Sequence, residues 1–372
     1  MKILPNKAYF SKDSISYIQK NFKKILEGKS FLSQYKYSEE FEYQFSKYIK
    51  SPYALSCNSG TSALEIIFRS INVNNYEVII PSNTFLATAL GVINAGGKIK
   101  FADCNNDMCI SLESIKKNIT KKTKAVVVVH IGGIITEDII SIKKLCKKNN
   151  LYLIEDAAQA HGSKFNNIYA GNFGDFAAFS FYSTKTITTG EGGMITFKNK
   201  KYLLKMKSIR EFGKVKKGIY INNHKYFGYN WRFQEINALM GITQLHQIES
   251  FIRKRTYIAN IYYENLKNKK YLDIINPFKN NSRQNFYKFI VIPKDISREK
   301  LHSKLLKFKI NLSGYVYEIP LHKQSIFKKF NKQRFKNTEY LCANHICLPI
   351  YYEMTKKQAL FLIKKIEEIF EN

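Results

Sequence analysis

The middle of the chain alternates short apolar, β-branched runs with amphipathic stretches. Runs at Glu77–Pro81, Lys98–Ala102, Ala125–His130, Leu151–Glu155, Phe176–Phe181 and Gly193–Phe197 predict strands. Between them, apolar residues recur at helical spacing over Thr61–Ile71 and Glu137–Lys148. Strands interleaved with helices predict an α/β fold with a mostly parallel sheet covered by helices. The run Val126-Val127-Val128-Val129 lacks polar alternation, as a central strand buried on both faces would. A long helical pattern runs from Gln234 to Lys267. Beyond it the chain reads as α+β, with a strand at Phe286–Ile292 and helices at Glu299–Lys307 and Lys356–Glu371. This change of texture predicts a large domain over 1–250 and a small C-terminal domain over 251–372. The segment Phe212–Tyr229 is basic, glycine-containing and aperiodic, which predicts a mobile loop.

Composition narrows the class. A chain of 372 residues, 45% of them hydrophobic, can bury a core in each of two units. The net charge of +31 would by itself suggest a polyanionic partner. The lysines, however, are spread over the whole chain beside many Asn, Ile, Tyr and Phe. Runs such as Lys20–Lys24 and Lys328–Lys336 read as solvated helix faces. The spread points to a biased composition, whose positive field would still attract a substrate carrying a diphosphate. With no helix-turn-helix, zinc or RNA-binding signature, no nucleic-acid partner is expected. Six cysteines without C-x-x-C or zinc-finger spacing predict buried thiols in a reducing cytosol and no metal site. The N-terminus lacks a signal-peptide core. The longest apolar stretch, Ala125–Ile135, falls short of the roughly 20 residues a bilayer needs. A soluble, cytoplasmic protein without a membrane span is expected.

Four segments carry candidate chemistry. The first is Phe179-Ser180-Phe181-Tyr182-Ser183-Thr184-Lys185, followed by Thr188-Thr189-Gly190-Glu191-Gly192-Gly193. A lysine at a strand end is usually a solvated charge. This one closes a buried strand at the sheet edge where α/β proteins bind ligands. A lysine partly withdrawn from water is a nucleophile toward aldehydes, the Schiff-base chemistry of pyridoxal 5′-phosphate (PLP). The second is Leu153-Ile154-Glu155-Asp156-Ala157-Ala158-Gln159-Ala160-His161-Gly162. Asp156 is either a helix N-cap or, if its strand neighbours that of Lys185, the carboxylate that PLP needs beside its pyridine nitrogen. The third, Asn58-Ser59-Gly60-Thr61-Ser62-Ala63-Leu64-Glu65, opens an amphipathic helix. It reads as an ordinary cap or as a phosphate cradle at the positive end of the helix dipole. The fourth, Pro81-Ser82-Asn83-Thr84-Phe85-Leu86-Ala87-Thr88, places Phe85 to stack on a cofactor ring or to join the core.

In this order and spacing the four segments resemble the DegT/DnrJ/EryC1/StrS family, PLP-dependent aminotransferases of fold type I acting on nucleotide sugars. The likeness extends to Gly228-Tyr229-Asn230-Trp231-Arg232, Pro320-Leu321-His322 and Leu348-Pro349-Ile350-Tyr351. It implies a seven-stranded, mostly parallel sheet and a smaller α+β domain. It implies that Lys185 forms the Schiff base and moves protons, that Asp156 pairs with the pyridine nitrogen, and that Gln159 lies near the phenolic oxygen. It further implies that Phe85 stacks on the ring, that Gly60, Thr61, Ser62 and Ser180 hold the phosphate, and that Asn230 serves the neighbouring subunit of a homodimer. The implied reaction moves an amino group, with L-glutamate as donor and 2-oxoglutarate as its product, to a nucleotide-linked keto sugar in surface-polysaccharide or glycan biosynthesis. Tyr182 and His161 resemble members that aminate C3, and are implied as catalytic; the Thr188–Gly193 run resembles members that aminate C4, so the balance tips only slightly to C3. Relatives with histidine for the lysine are dehydratases, against which Lys185 argues. A regulatory or nucleic-acid-binding protein of the same fold would leave Lys185, Asp156, Gln159 and Ser180 together without a purpose. The sequence departs from the family at Asn75-Tyr76, at His130-Ile131-Gly132-Gly133, where a missing tyrosine would either open space near the site or matter little, and at Asn237, where alanine is frequent.

Overall fold

A computed structural model describes residues 2–371 other than 276, 277 and 279. Its centre is a seven-stranded sheet. The strands are β1 (Tyr53–Cys57), β2 (Glu77–Pro81), β3 (Lys98–Ala102), β4 (Thr123–Val129), β5 (Tyr152–Asp156), β6 (Phe176–Ser180) and β7 (Gly193–Phe197), in the order β1-β7-β6-β5-β4-β2-β3. β3, β2, β4, β5 and β6 run parallel, and β7 lies antiparallel between β6 and β1.

The valine run fills the centre as its pattern predicts. Val127 and Val129 face one core layer, Val126 and Val128 the other, and all four are buried. Each such side chain stabilises the fold by about 1.5–3 kcal/mol relative to exposure. One layer is closed by the helices Gly60–Ser70 and Leu86–Asn94. The other is closed by Lys36–Ile49 and the first half of the long helix Glu235–Leu266.

That long helix continues through position 250 without a break. Its second half, with Ile258, Tyr262 and Leu266, packs in a third core. There a three-stranded antiparallel sheet (Leu272–Ile274, Phe289–Pro293, Ile346–Leu348) meets the helices Arg298–Lys307 and Lys356–Glu371.

Four points of the pattern need correction. The apolar pattern does not reveal β1; it is a short run with a half-buried start, and its pairing with β7 is supplied from 140 positions away. The segment Phe212–Tyr229 is no featureless loop: Lys214–Lys217 and Tyr220–His224 pair as a hairpin. The stretch after Asp156 is a turn rather than a helix, and the C-terminal strand starts at Phe289, leaving residues 285–288 as an ordered approach to it.

Candidate active site

The chemistry-bearing segments converge because the parallel strands all end at one edge. Asp156 closes β5, Ser180 closes β6, and Pro81 closes β2. Strand register sets Cys57 and Ser180 on either side of Gly193, so the turn after β1 lies beside the end of β6. These elements border a cavity of about 420 Å³.

At one end of the cavity starts the helix Gly60–Ser70. Ser59 caps it, its Oγ accepting from the Ser62 N–H at 3.1 Å. The N–H groups of Gly60 and Thr61 have no partner within the helix, and the dipole adds positive potential there. Ser59, Gly60, Thr61 and Ser180 all line the cavity. Glycine is needed for the close approach: a Cβ on Gly60 would lie 2.8 Å from the Ser180 Cβ, and one on Gly193 would lie 2.2 Å from the Ser59 carbonyl oxygen. Ser62 turns away, its hydroxyl donating to Asn58 Oδ1 at 2.7 Å. The segment is thus both a helix cap and an anion-ready cradle.

The two acids that end β5 point to opposite faces, as neighbours on a strand must. Glu155 is buried under the long-helix layer, where it accepts from the Gly171 and Gly174 N–H groups, each at 2.7 Å, and meets His130 Nε2 at 2.9 Å. Asp156 faces the cavity. Thr88 Oγ1 donates to it at 2.8 Å and the Ala158 N–H at 3.2 Å. Burial raises its pKa above the ordinary carboxylate value, and these two donors and the Lys185 charge oppose that rise.

Lys185 lies in the turn after β6, half-buried, with its N–H donating to the Tyr182 carbonyl at 2.9 Å. Its Nζ sits 4.9 Å from the Tyr287 ring centre. Burial would raise the Tyr287 pKa, but the Lys185 and Lys288 charges outweigh burial and lower it. Gln159 is fixed at both ends: Oε1 accepts from the Gly132 N–H and Nε2 donates to the Tyr317 hydroxyl, both at 2.7 Å. Burial, then the nearby Asp156, pushes the Tyr317 phenol well above its ordinary pKa. Phe85 is no core residue. It is 60% exposed, and its ring lies nearly parallel to that of Tyr317, centres 6.3 Å apart.

Of the residues singled out in the sequence, Gly60, Thr61, Phe85, Asp156, Gln159, Ser180, Tyr182 and Lys185 line this one cavity. Three do not. Ser62 is turned toward Asn58. Asn230 is exposed beyond the cavity, its carbonyl 3.5 Å from Asn58 Nδ2. His161 lies on the opposite face of β6, buried between Phe179 and Phe181. Burial lowers its pKa to about 3, and the Lys185 charge adds to the effect.

Sequence reasoning missed Thr88, Tyr287, Lys288, Tyr315 and Tyr317. Thr88 stands inside the Pro81–Thr88 segment, one helical turn from Thr84, and that i,i+4 spacing was a usable signal. Position 132 opens no space in the cavity: a Cβ there would meet Ile290 at 3.0 Å. Asn237 has a task that alanine could not perform. Its Nδ2 donates to the carbonyls of Thr189 and Glu191 at 3.1 and 2.7 Å, holding the turn that brings Glu191 to the cavity.

The chain is similar to known proteins over nearly its whole length. The model of the DegT/DnrJ/EryC1/StrS aminotransferase family matches residues 13–367. The chain is 31% identical to the UDP-4-amino-4,6-dideoxy-N-acetyl-beta-L-altrosamine transaminase of Campylobacter jejuni over 90% of this chain and 89% of that protein. It is 31% identical to the GDP-perosamine synthase of Escherichia coli O157:H7 over 90% of this chain and 91% of that one. The structure of Helicobacter pylori PseC, an aminotransferase involved in the biosynthesis of pseudoaminic acid, superposes with a TM-score of 0.92 at 26% identity, covering all of both chains.

Proposed function

The chain belongs to the DegT/DnrJ/EryC1/StrS aminotransferase family, and from that premise we propose that it moves an amino group to the keto group of a nucleotide-linked deoxysugar, using PLP held between Lys185 and Asp156. The observation that carries this reading is the meeting of Lys185, the buried carboxylate of Asp156 and a helix-start cradle in a single cavity.

The residues present fit PLP. Gly60, Thr61 and Ser180 form a cradle that a Cβ at position 60 would fill, and Phe85 and Ala158 offer apolar walls. When bound, the cofactor supplies an aldehyde that takes up amines and a ring that accepts electrons once its nitrogen is protonated. Lys185 is the nucleophile, and its amine takes and returns the proton at the substrate carbon. Asp156 stays ionised when a cation adjoins it, and so keeps the ring nitrogen protonated; Thr88 and the Ala158 N–H aim its two oxygens. Gln159, fixed at both ends by Gly132 and Tyr317, would help hold the cofactor.

L-Glutamate is the proposed amino donor. Two of the relatives above are named for a UDP-linked and a GDP-linked sugar, which makes a nucleotide-linked substrate the proposal here. The position of amination moves to C4. One of the two residues that pointed to C3, His161, lies outside the cavity, and the name of the Campylobacter relative carries a 4-amino group. A second copy of the chain completes the site by bringing Asn230 to it. Support comes from exposed apolar side chains on neighbouring segments, among them Phe31 at 69% and Phe227 at 88% exposure.

Addition of PLP to the purified protein should produce a visible absorption band that L-glutamate bleaches. UDP- or GDP-linked 4-keto-6-deoxysugars should then restore the band with appearance of an amino sugar by mass spectrometry. A protein that gains no band from PLP contradicts the proposal.

A further inference from the structure

Among the described cavity-lining residues two carry ammonium groups, Lys185 and Lys288. Both stand over the Tyr287 ring, at 4.9 and 5.4 Å from its centre. Neither has a carboxylate at ion-pair distance among the described residues; Lys288 Nζ donates instead to the Ser313 carbonyl at 2.6 Å. A neutral carbonyl leaves the ammonium charge uncompensated, and two like charges sharing one ring give this wall a positive potential. The same two charges lower the Tyr287 pKa against the effect of burial.

The wall is also rigidly placed. Asn285 Nδ2 donates to the carbonyls of Gln159 and His161 at 2.9 and 3.1 Å, its own N–H donates to Ser163 Oγ at 3.1 Å, and its Oδ1 accepts from the Tyr287 N–H at 2.9 Å. The Lys288 N–H donates to the Gly132 carbonyl at 3.2 Å, on the residue whose own N–H holds Gln159. The position of Lys288 is thus tied through the backbone to that of Gln159 and the end of β5. Of the cavity's anion-attracting groups, the helix start at Gly60 would hold the phosphate of PLP and Lys185 would be engaged by its aldehyde. Lys288 is left over, and both partners of the proposed reaction are anions.

We propose that Lys288 is a substrate-binding residue, receiving an anionic group of the incoming substrate: a carboxylate of the amino donor or a phosphate of the nucleotide sugar. This rests on the PLP reading above. Tyr287 acts as its positioning residue, spacing its ammonium from that of Lys185.

The test uses PLP-loaded protein and three unreactive probes, succinate, UDP and GDP, with affinity read by titration calorimetry. Lys288→Met should weaken at least one probe about tenfold or more, the scale of a lost charge-assisted hydrogen bond, while Lys288→Arg stays within about threefold of wild type. Loss confined to succinate assigns the donor carboxylate; loss confined to UDP or GDP assigns the diphosphate. The visible band should be the same in every variant because Lys185 is untouched. Failure of the wild type to bind any probe, or equal affinity in wild type and Lys288→Met, overturns the proposal. If Lys288→Met does not fold, Lys288→Gln is set against Lys288→Arg, and equal affinities in that pair overturn it as well. A wild-type protein that shows no band with PLP fails at the parent reading instead, a result distinct from all of these.

Discussion

On one wall of the cavity, Gly60, Asp156, Ser180 and Lys185 each lie at or within five positions of a strand end of the central sheet. On the facing wall, Tyr287, Lys288, Tyr315 and Tyr317 come from the C-terminal part of the chain, where only Lys288 adjoins a strand. Long-range bonds to the large sheet's edge hold that second wall: Asn285 to Gln159, Lys288 to Gly132, Tyr317 to Gln159, and His322 Nδ1 to Ser82 Oγ at 2.6 Å. A sheet edge offers fixed, dry positions where a nucleophile and a carboxylate can be set within a narrow tolerance. A wall held by side-chain bonds to loops can change its residues without disturbing the sheet. On the function proposed above, bond-making falls to the first wall and recognition to the second. Variants of the first should therefore lower kcat, and variants of the second should raise KM.

The comparison breaks most decisively at Lys185. Lys185→Ala should abolish transfer, a loss of at least about 1,000-fold, with the fold unchanged by circular dichroism. Turnover close to wild type would remove the first wall's claim to the chemistry. Asp156→Asn comes next, with an expected loss of about 100- to 1,000-fold in kcat, the scale of one misplaced electrostatic partner. PLP should still bind it, and near-normal kcat would contradict the pyridinium role.

On the facing wall, Tyr317→Phe deprives the Gln159 amide of its acceptor at 2.7 Å. Leaving that donor unpaired costs about 1–3 kcal/mol, and the loss should appear mainly in KM. An equal fall in kcat and kcat/KM would place Tyr317 with the chemistry and blur the division.

The smallest effect concerns His161, which belongs to neither wall. Its folded-state pKa is about 3, against about 6.5 in an unfolded chain. Between those values the unfolded chain holds a proton that the folded chain refuses, so this group's contribution is intact above pH 6.5 and declines as the pH falls. The slope is about 1.4 kcal/mol per pH unit. His161→Phe should flatten the urea-unfolding stability profile between pH 6 and pH 4 by that amount while leaving transfer activity at neutral pH close to wild type. An unchanged slope contradicts a neutral, buried ring. A large loss of activity restores the catalytic role read from the sequence.

The same contrast explains what the sequence made legible. β2 and β7 end where their apolar runs end, because burial on both faces imposes a continuous pattern and the strand ends carry the motifs. Asp156 and Lys185 could be paired from their motifs alone because each follows a legible strand, and those strands are neighbours, β5 beside β6. Tyr287 and Lys288 had no such marker. A Phe-Tyr-Lys-Phe run reads as the start of a strand, and what makes it a wall is Asn285, whose partners lie more than 120 positions away. His161 misled for the opposite reason. It stands five positions from Asp156 in the chain, yet it packs against Phe179 and Phe181 on the face of β6 turned from the cavity.

The central claim, that Lys185 is the group that takes the cofactor, is tested most directly by covalent trapping. PLP-loaded protein is reduced with borohydride, digested and mapped by mass spectrometry. With 52 lysines in the chain, chance labelling would scatter. The account predicts one dominant pyridoxyl adduct, on the peptide containing Lys185, which Lys185→Ala eliminates. A dominant adduct on any other lysine, or a scatter that Lys185→Ala leaves unchanged, would contradict it.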